Sequence, residues 1–260
     1  MDDARALLQA GRLEEAVAAF RAVAAAPASP EEAGAARNNA CVVLMDLGDY
    51  RGALEECLEA RRLREAGTDR RVLARTLNNT ALALQRLGRH AEAETAYGEA
   101  LAINRERGDA QAEAVNLRNL ALLYSLEGHY SRAREQLAGV MRLIEQHASE
   151  DWAGEERRLA TVNLGVLLEQ LGAYDEALTQ YRGLLAEAAN LEPKHRAALQ
   201  INVGVVYRNL GDPVRALEAF HEGVAAYESL GDVASLSNAW RFHDAASPGK
   251  DGGSARWRSI

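Results

Sequence analysis

The fold can be predicted from residues 76–109, which read TLNNTALALQRLGRHAEAETAYGEALAINRERGD. Apolar residues recur three or four positions apart on both sides of Gly88, which predicts two amphipathic helices. Gly88 itself predicts a tight turn between them, because a residue without Cβ adopts the left-handed conformation that ends a helix at little cost. The segment therefore predicts one pair of antiparallel helices.

The same arrangement recurs along the chain with a period of about 40 residues. The turn glycines of the repeats are Gly11, Gly48, Gly88, Gly128, Gly172 and Gly211. An alanine follows each glycine by five residues, and these alanines are Ala16, Ala53, Ala93, Ala133, Ala177 and Ala216. Self-similarity at a fixed period predicts helix pairs that stack on their neighbours and bury a continuous core.

Each predicted pair combines a small residue with a large one. Small residues precede the last five turn glycines by seven positions, at Cys41, Ala81, Ala121, Gly165 and Gly204. Large residues follow the glycines by nine positions, at Phe20, Tyr97, Leu137, Tyr181 and Phe220, and Cys57 is the exception. Small residues let two helices approach closely and large ones fill the remaining space, so both sets are predicted to lie in the core.

Two junctions depart from the period. Residues 148–157 carry an insertion, and residues 190–196 contain Pro193, which is tolerated near the start of a helix. We expect a local change of curvature at both places. The repeats are predicted to span residues 1–246 as about six helix pairs and a terminal helix, and the polar, Gly-rich tail 247–260 is predicted to be disordered.

Composition restricts the class of protein and its partners. Hydrophobic residues make up 48% and charged residues 26%, a mixture rich in Ala, Leu, Glu and Arg that favours an all-α fold. The net charge of −8 disfavours binding to nucleic acid. No apolar run reaches the length of about 18 residues that a membrane span needs, so no membrane association is expected.

The location is expected to be cytoplasmic. The first residues are acidic and contain neither a basic leader nor an unbroken apolar stretch, so they do not resemble a signal peptide. Cys41 and Cys57 are too few for a disulfide framework in a chain of this size, and we expect free thiols.

Catalysis is not expected. The six histidines are scattered, no His pair stands at helical spacing, and no cysteine cluster completes a metal site. The sequence contains no phosphate-binding glycine loop and no nucleophile elbow. We therefore predict no catalytic residue, no metal site and no cofactor.

Residues 76–109 resemble a tetratricopeptide repeat. The long period is similar to that of the extended repeats in kinesin light chains, mitotic-spindle adaptors and bacterial peptide-pheromone receptors. The resemblance implies a right-handed α-solenoid of antiparallel helix pairs. It also implies a concave groove in which a protein or peptide partner binds.

A series of asparagines precedes the last five turn glycines by nine residues. Its members are Asn39, Asn79, Asn119, Asn163 and Asn202, and Asn238 is a possible continuation. Carboxamides both donate and accept hydrogen bonds, so the series is one candidate for recognition of a peptide backbone, as in the asparagine ladder of kinesin light chains. The alternative is that each asparagine bonds to an adjoining helix and sets the register of stacking. Both interpretations stay open.

The resemblance also assigns other groove positions. An apolar series follows the first helices, at Val42, Leu82, Leu122, Val166 and Val205. Further lining residues are Asn78, Gln85, Arg86, Arg118, Glu169 and Arg208. The three arginines are candidates for pairing with acidic side chains or, alternatively, for simple solvation. The chain has only two lysines, Lys194 and Lys250, and neither lies on this face, so capture of a terminal carboxylate is not expected.

Three functions follow as hypotheses. The first is a scaffold or adaptor that binds a peptide segment of a partner. The second is a peptide-sensing module that acts on a separate effector. The third is a self-assembling array or homodimer that forms through the terminal helix, which contains Trp240 and Phe242. That helix is alternatively a native cap of the repeats or the first half of a truncated repeat.

Overall fold

Thirteen α-helices and no strand make up the described part of the computed structural model, which comprises residues 1–65, 67, 69–187 and 191–246. The helices are α1 (Asp2–Gln9), α2 (Leu13–Ala25), α3 (Pro30–Asp46), α4 (Tyr50–Glu65), α5 (Arg70–Arg86), α6 (His90–Glu106), α7 (Ala110–Leu126), α8 (Tyr130–Gln146), α9 (Asp151–Gln170), α10 (Tyr174–Ala186), α11 (Pro193–Asn209), α12 (Pro213–Leu230) and α13 (Val233–Ala246). The predicted all-α class is confirmed. The predicted tail 247–260 lies outside the described residues.

The helices fall into two compact units. The first unit, Met1–Ser149, contains α1 to α8, and the second begins at Glu150 and contains α9 to α13. Consecutive helices pack in pairs, from α1 with α2 to α11 with α12, and α13 packs against α12 and α11. The predicted helix pairs are confirmed. The division between the units falls within residues 148–157, where the repeat period breaks.

The six predicted turn glycines share one backbone geometry. Their φ angles lie between 72° and 78°, in the left-handed region that an ordinary side chain adopts only with strain. At Gly88, the Arg89 N–H donates to the Leu84 carbonyl over 2.9 Å and so closes α5, and the Ala93 N–H donates to the Arg89 carbonyl over 3.0 Å and opens α6. Equivalent bonds occur at the other five turns. These glycines therefore set where each helix pair turns back.

The small and large core positions face each other within each pair. A Cβ built on Gly204 would lie 2.6 Å from Cδ1 of Phe220, and one on Gly165 would overlap the ring of Tyr181. Phe220 and Tyr181 are among the largest fully buried side chains. The prediction that these positions form the core is confirmed, and glycine at Gly204 and Gly165 makes room for the rings.

In the second pair, Cys41 and Cys57 occupy the small and the large position and form a disulfide, with their Cα atoms 5.4 Å apart. The expectation of free thiols is wrong. The reason is the offset of 16 residues across the turn, which elsewhere pairs a small residue with a large apolar one and here brings two sulfur atoms together. Disulfides are typical of oxidising compartments, so this bond removes one argument for a cytoplasmic location.

Several helices begin at a residue that suits a helix N-terminus. The Asp109 carboxylate accepts from the Ala112 N–H over 3.1 Å, and Asp232 accepts from the Ser235 N–H over 3.1 Å. Asp69 caps α5 in the same way, and Pro193 is the first residue of α11. A carboxylate at a helix N-terminus satisfies amides that have no partner within the helix. None of the described helices is long and apolar enough to cross a membrane.

Candidate functional site

The candidate groove of the first unit is formed by α3, α5 and α7. These three helices are the first members of consecutive pairs, and each contacts the next. Val42, Leu82 and Leu122 stand at the same register position of the three helices, and we call them the apolar row. Val42 and Leu122 are 36% and 37% exposed, and Leu82 is half-buried. Accessible apolar side chains at one register position of neighbouring helices are a candidate binding surface.

A chain of asparagine side chains connects neighbouring repeats beside the apolar row. Asn79 donates through Nδ2 to Oδ1 of Asn38 over 3.1 Å, and Asn119 donates to Oδ1 of Asn78 over 2.9 Å. Asn116 donates to the same Asn78 oxygen over 3.0 Å. For Asn79 and Asn119, these bonds support the interpretation that the carboxamide sets the register of stacking.

The same carboxamides retain hydrogen-bonding capacity. We call Asn39, Asn79 and Asn119 the asparagine column; all three are half-buried. Within the described part of the chain, Oδ1 of Asn79 and Oδ1 of Asn119 accept no hydrogen bond, and the Asn39 side chain makes none. The column therefore has unused acceptor oxygens on half-buried side chains, while two of its donors bond to the neighbouring repeat.

A pocket of about 450 Å³ continues the groove between the N-terminal halves of α5 and α7. Two arginines, two aspartates, three asparagines, a glutamine and four small apolar residues line it, among them Arg71, Arg75, Asn78, Asn104, Val115 and Asn116. Asn104 of α6 donates to Asn116 over 2.6 Å and closes the inner end of the pocket.

Sequence reasoning named only Asn78 among these pocket residues. A signal for the others existed, because Arg75 and Arg71 precede Asn78 by three and seven positions, which places them on the same face of α5. Val115 and Gln111 precede Arg118 by three and seven positions in the same way.

The three predicted arginines differ in their surroundings. Arg86 is exposed, and its guanidinium lies 6.0 Å from the ring centre of Tyr50. Arg118 is half-buried. The guanidinium nitrogens of Arg208 are buried, and its Cζ lies 5.9 Å from the ring centre of Phe242. This burial lowers the pKa of Arg208. Arg208 is therefore a poor candidate for an accessible contact with a ligand.

Several predicted groove residues lie in the core instead. Val205 is fully buried and belongs to the apolar cluster of the second unit, and Asn202 is only 1% exposed, because α10, α12 and α13 all pack against α11. Gln85 and Glu169 are also buried, and each accepts a hydrogen bond from a core tyrosine. The Tyr97 hydroxyl donates to Gln85 over 3.0 Å, and the Tyr181 hydroxyl donates to Glu169 over 2.7 Å. The assignment of these four residues to an exposed groove is wrong.

The remaining predicted residues are on α9 of the second unit. Asn163 and Val166 are both half-buried, and no hydrogen bond from the described residues reaches the Asn163 side chain. Both side chains are therefore partly accessible on α9.

Among the described residues, no group of three His, Cys, Asp or Glu side chains is arranged to hold a metal ion. The fold and the groove define a helical repeat protein built from hairpins.

The family can be stated from the sequence match. The family model described as Tetratricopeptide repeat matches residues 32–106, 72–146 and 156–229, which is more than half of the chain. The chain belongs to the tetratricopeptide repeat family. No curated protein matches it.

Solved structures share the fold. BtubC (BKLC) from P. vanneervenii is 22% identical, with 96% of this chain and 95% of that chain covered and a TM-score of 0.61. The apo form of the quorum sensor NprR from B. thuringiensis is 18% identical, with 91% and 66% covered and a TM-score of 0.71. NprR in complex with its cognate peptide NprX is 16% identical, with 94% and 68% covered and a TM-score of 0.68. At these identities the likeness concerns the fold.

Proposed function

We propose that this chain is a non-catalytic scaffold that binds an extended segment of a partner protein in the groove of its first unit. The observation that carries the proposal is the apolar row lying beside the asparagine column, with carboxamide oxygens directed to no partner within the described residues. A surface that combines accessible apolar side chains with unused acceptors suits a polypeptide ligand.

The asparagine column and the apolar row would contact different parts of a bound peptide. An extended peptide carries backbone N–H groups that need acceptors when water is excluded, and the asparagine oxygens supply them irrespective of the peptide side chains. The apolar row selects for apolar anchors, since burial of apolar surface stabilises a complex by about 25 cal/mol per Å² before the costs of association are subtracted. Backbone bonds would thus give general affinity, and the anchors would give selectivity.

The similarity to NprR supports the proposal. NprR has been solved with its cognate peptide, and its fold matches most of this chain. The same similarity favours a second candidate, a peptide-sensing module that acts on a separate effector. A bound peptide that changes the radius of gyration in small-angle X-ray scattering would favour the sensor, and an unchanged radius would favour the simple scaffold.

A display experiment tests the first proposal. Peptides selected from a random library on the wild-type protein should lose affinity for the Val42→Gln/Leu122→Gln variant. Leu58→Gln/Val214→Gln is the matched control, because these two side chains are 46% and 66% exposed and lie on α4 and α12, outside the groove helices. Selected peptides that bind all three proteins equally would overturn the groove as their site.

A third candidate is self-association through α13 to give a homodimer. Trp240 on that helix is 38% exposed, whereas Phe242 stacks on Phe220 at 6.4 Å between ring centroids and serves the core. Trp240→Ala is therefore the cleaner test. A mass that rises with concentration in the wild type and not in this variant would favour assembly, and a constant mass would exclude it.

A further inference from the structure

We infer that the pocket between α5 and α7 holds the side-chain carboxylate of an aspartate or glutamate in the bound segment, with Arg71 and Arg75 as its two donors. The inference rests on the proposed function, since the carboxylate arrives as part of a segment lying in the groove. It adds a charge requirement to the apolar and backbone contacts already described.

Arg71 and Arg75 are uncommitted cations. Both are exposed, and neither side chain forms a hydrogen bond or ion pair with the described residues. Neighbouring arginines are committed: Arg70 pairs with Glu106 at 3.4 Å and Arg105 with Glu113 at 2.8 Å.

The two uncommitted arginines stand one helical turn apart, about 6 Å along α5. One carboxylate can therefore accept from both guanidinium groups.

The other charges around the pocket favour an anion. The carboxylates of Asp69 and Asp109 line the pocket, but each accepts amide N–H bonds at the start of its own helix, which offsets its negative charge. Arg64 is buried outside the pocket lining, with Nη1 donating to the Val72 carbonyl over 2.9 Å. Two guanidinium groups without a partner among the described residues thus line the pocket beside two carboxylates that already accept amide hydrogen bonds.

Burial, together with the nearby charge of Arg75, lowers the pKa of Arg64. Burial is the larger cause of this shift, the charge of Arg75 adds to it, and the carboxylate of Asp69 opposes it. An incoming carboxylate would relieve this repulsion.

The pocket also fits the rest of the groove. Arg75 and Arg71 precede Leu82 by seven and eleven residues on α5, which corresponds to about 10 and 16 Å along the helix. An extended peptide advances about 3.3 Å per residue. A ligand that runs along α5 from its anchor at Leu82 is therefore expected to carry an acidic residue about three to five positions from that anchor.

The test begins with peptides selected on the wild-type protein. Replacement of their acidic residue by its amide, Glu to Gln or Asp to Asn, should weaken binding roughly tenfold or more. The Arg71→Gln/Arg75→Gln variant should weaken binding of the acidic peptide by a similar factor and should bind acidic and amide peptides equally. Arg134→Gln/Arg142→Gln on α8 removes the same charge from two other exposed arginines and should retain the discrimination.

Each result decides between the two proposals. If the peptides depend on Val42 and Leu122 but ignore both the acidic residue and the arginines, the carboxylate site is wrong and the groove stands. If amidation of the peptide C-terminus, rather than neutralisation of a side chain, removes the preference, the assigned source of the carboxylate is wrong. If no peptide is selected at all, both proposals fail.

Discussion

Asn79 donates a hydrogen bond to Asn38 across the boundary between the second and third helix pairs, over 3.1 Å from Nδ2 to Oδ1. The Asn38 oxygen is buried and also accepts from the Thr76 hydroxyl over 3.2 Å. Asn79 thus links these two repeats through its Nδ2 group. Its Oδ1 atom accepts no hydrogen bond from the described residues and is available to a ligand.

This relationship predicts that the asparagines separate into two groups. Asn79→Ala should lower the free energy of unfolding by about 1 kcal/mol, because a bond to a buried acceptor is lost. Asn39→Ala should change it by less than about 0.5 kcal/mol, since the Asn39 side chain bonds to no described residue. Urea unfolding followed by circular dichroism measures both. Equal losses for the two variants would contradict a structural role specific to Asn79.

The Cys41–Cys57 disulfide should stabilise the first unit. It closes a loop with a sequence separation of 16, for which the chain-entropy relation gives about 3 kcal/mol. Reduction should therefore lower the urea midpoint of the wild type. The Cys41→Ala/Cys57→Ala variant is the control, and its midpoint should not respond to the reductant. Mass spectrometry that finds two free thiols in the untreated protein would contradict the bond.

Gly204 should not tolerate even a methyl group. A Cβ at this position would lie 2.6 Å from the Phe220 ring, so Gly204→Ala is expected to cost about 1–3 kcal/mol through overpacking. Gly183 is in the neighbouring helix α10 and has open space around its Cβ position, so Gly183→Ala should stabilise by about 0.5–1 kcal/mol. Thermal unfolding compares the two. The prediction fails if both substitutions shift the midpoint in the same direction.

Asp232 should titrate well below an ordinary aspartate. The ammonium of Lys194, 2.7 Å away, and the hydrogen bonds from Ser235 lower its pKa to about 2. A depressed pKa means that this contribution to stability is present above the ordinary value of 3.8 and is lost as the pH falls towards 2. Carboxyl ¹³C NMR should show the low pKa in the wild type and a value nearer 3.8 in Lys194→Met. An unchanged titration in that variant would contradict the assignment to Lys194.

The repeat architecture could be predicted from the sequence because its determinants are local and periodic. Gly88 ends a helix for a reason that holds at any position, and the small and large residues recur at fixed offsets from it. Ala4 shows how far the offset extends: it precedes Phe20 by the same 16 residues and is buried, although it was not among the predicted core positions.

The details of the groove could not be predicted as well, because they depend on contacts between repeats. Val205 occupies the same register position as Leu122, yet it is buried by the helices around α11, and periodicity alone does not show that difference. The disulfide was within reach of the sequence, since Cys41 and Cys57 occupy the paired small and large positions. The partner of Asn79, in contrast, appears only when two repeats are placed side by side.

The most direct test of the central claim is site-specific photo-crosslinking in the native cell. A photoreactive amino acid at Leu122, in the apolar row, should form a covalent adduct with a polypeptide partner, and the adduct should diminish when Asn39→Ala is added. The same amino acid at Leu58, which is comparably exposed on α4, should form none. Adducts at Leu58 alone, or equal adducts at both positions, would contradict a binding groove on α3, α5 and α7.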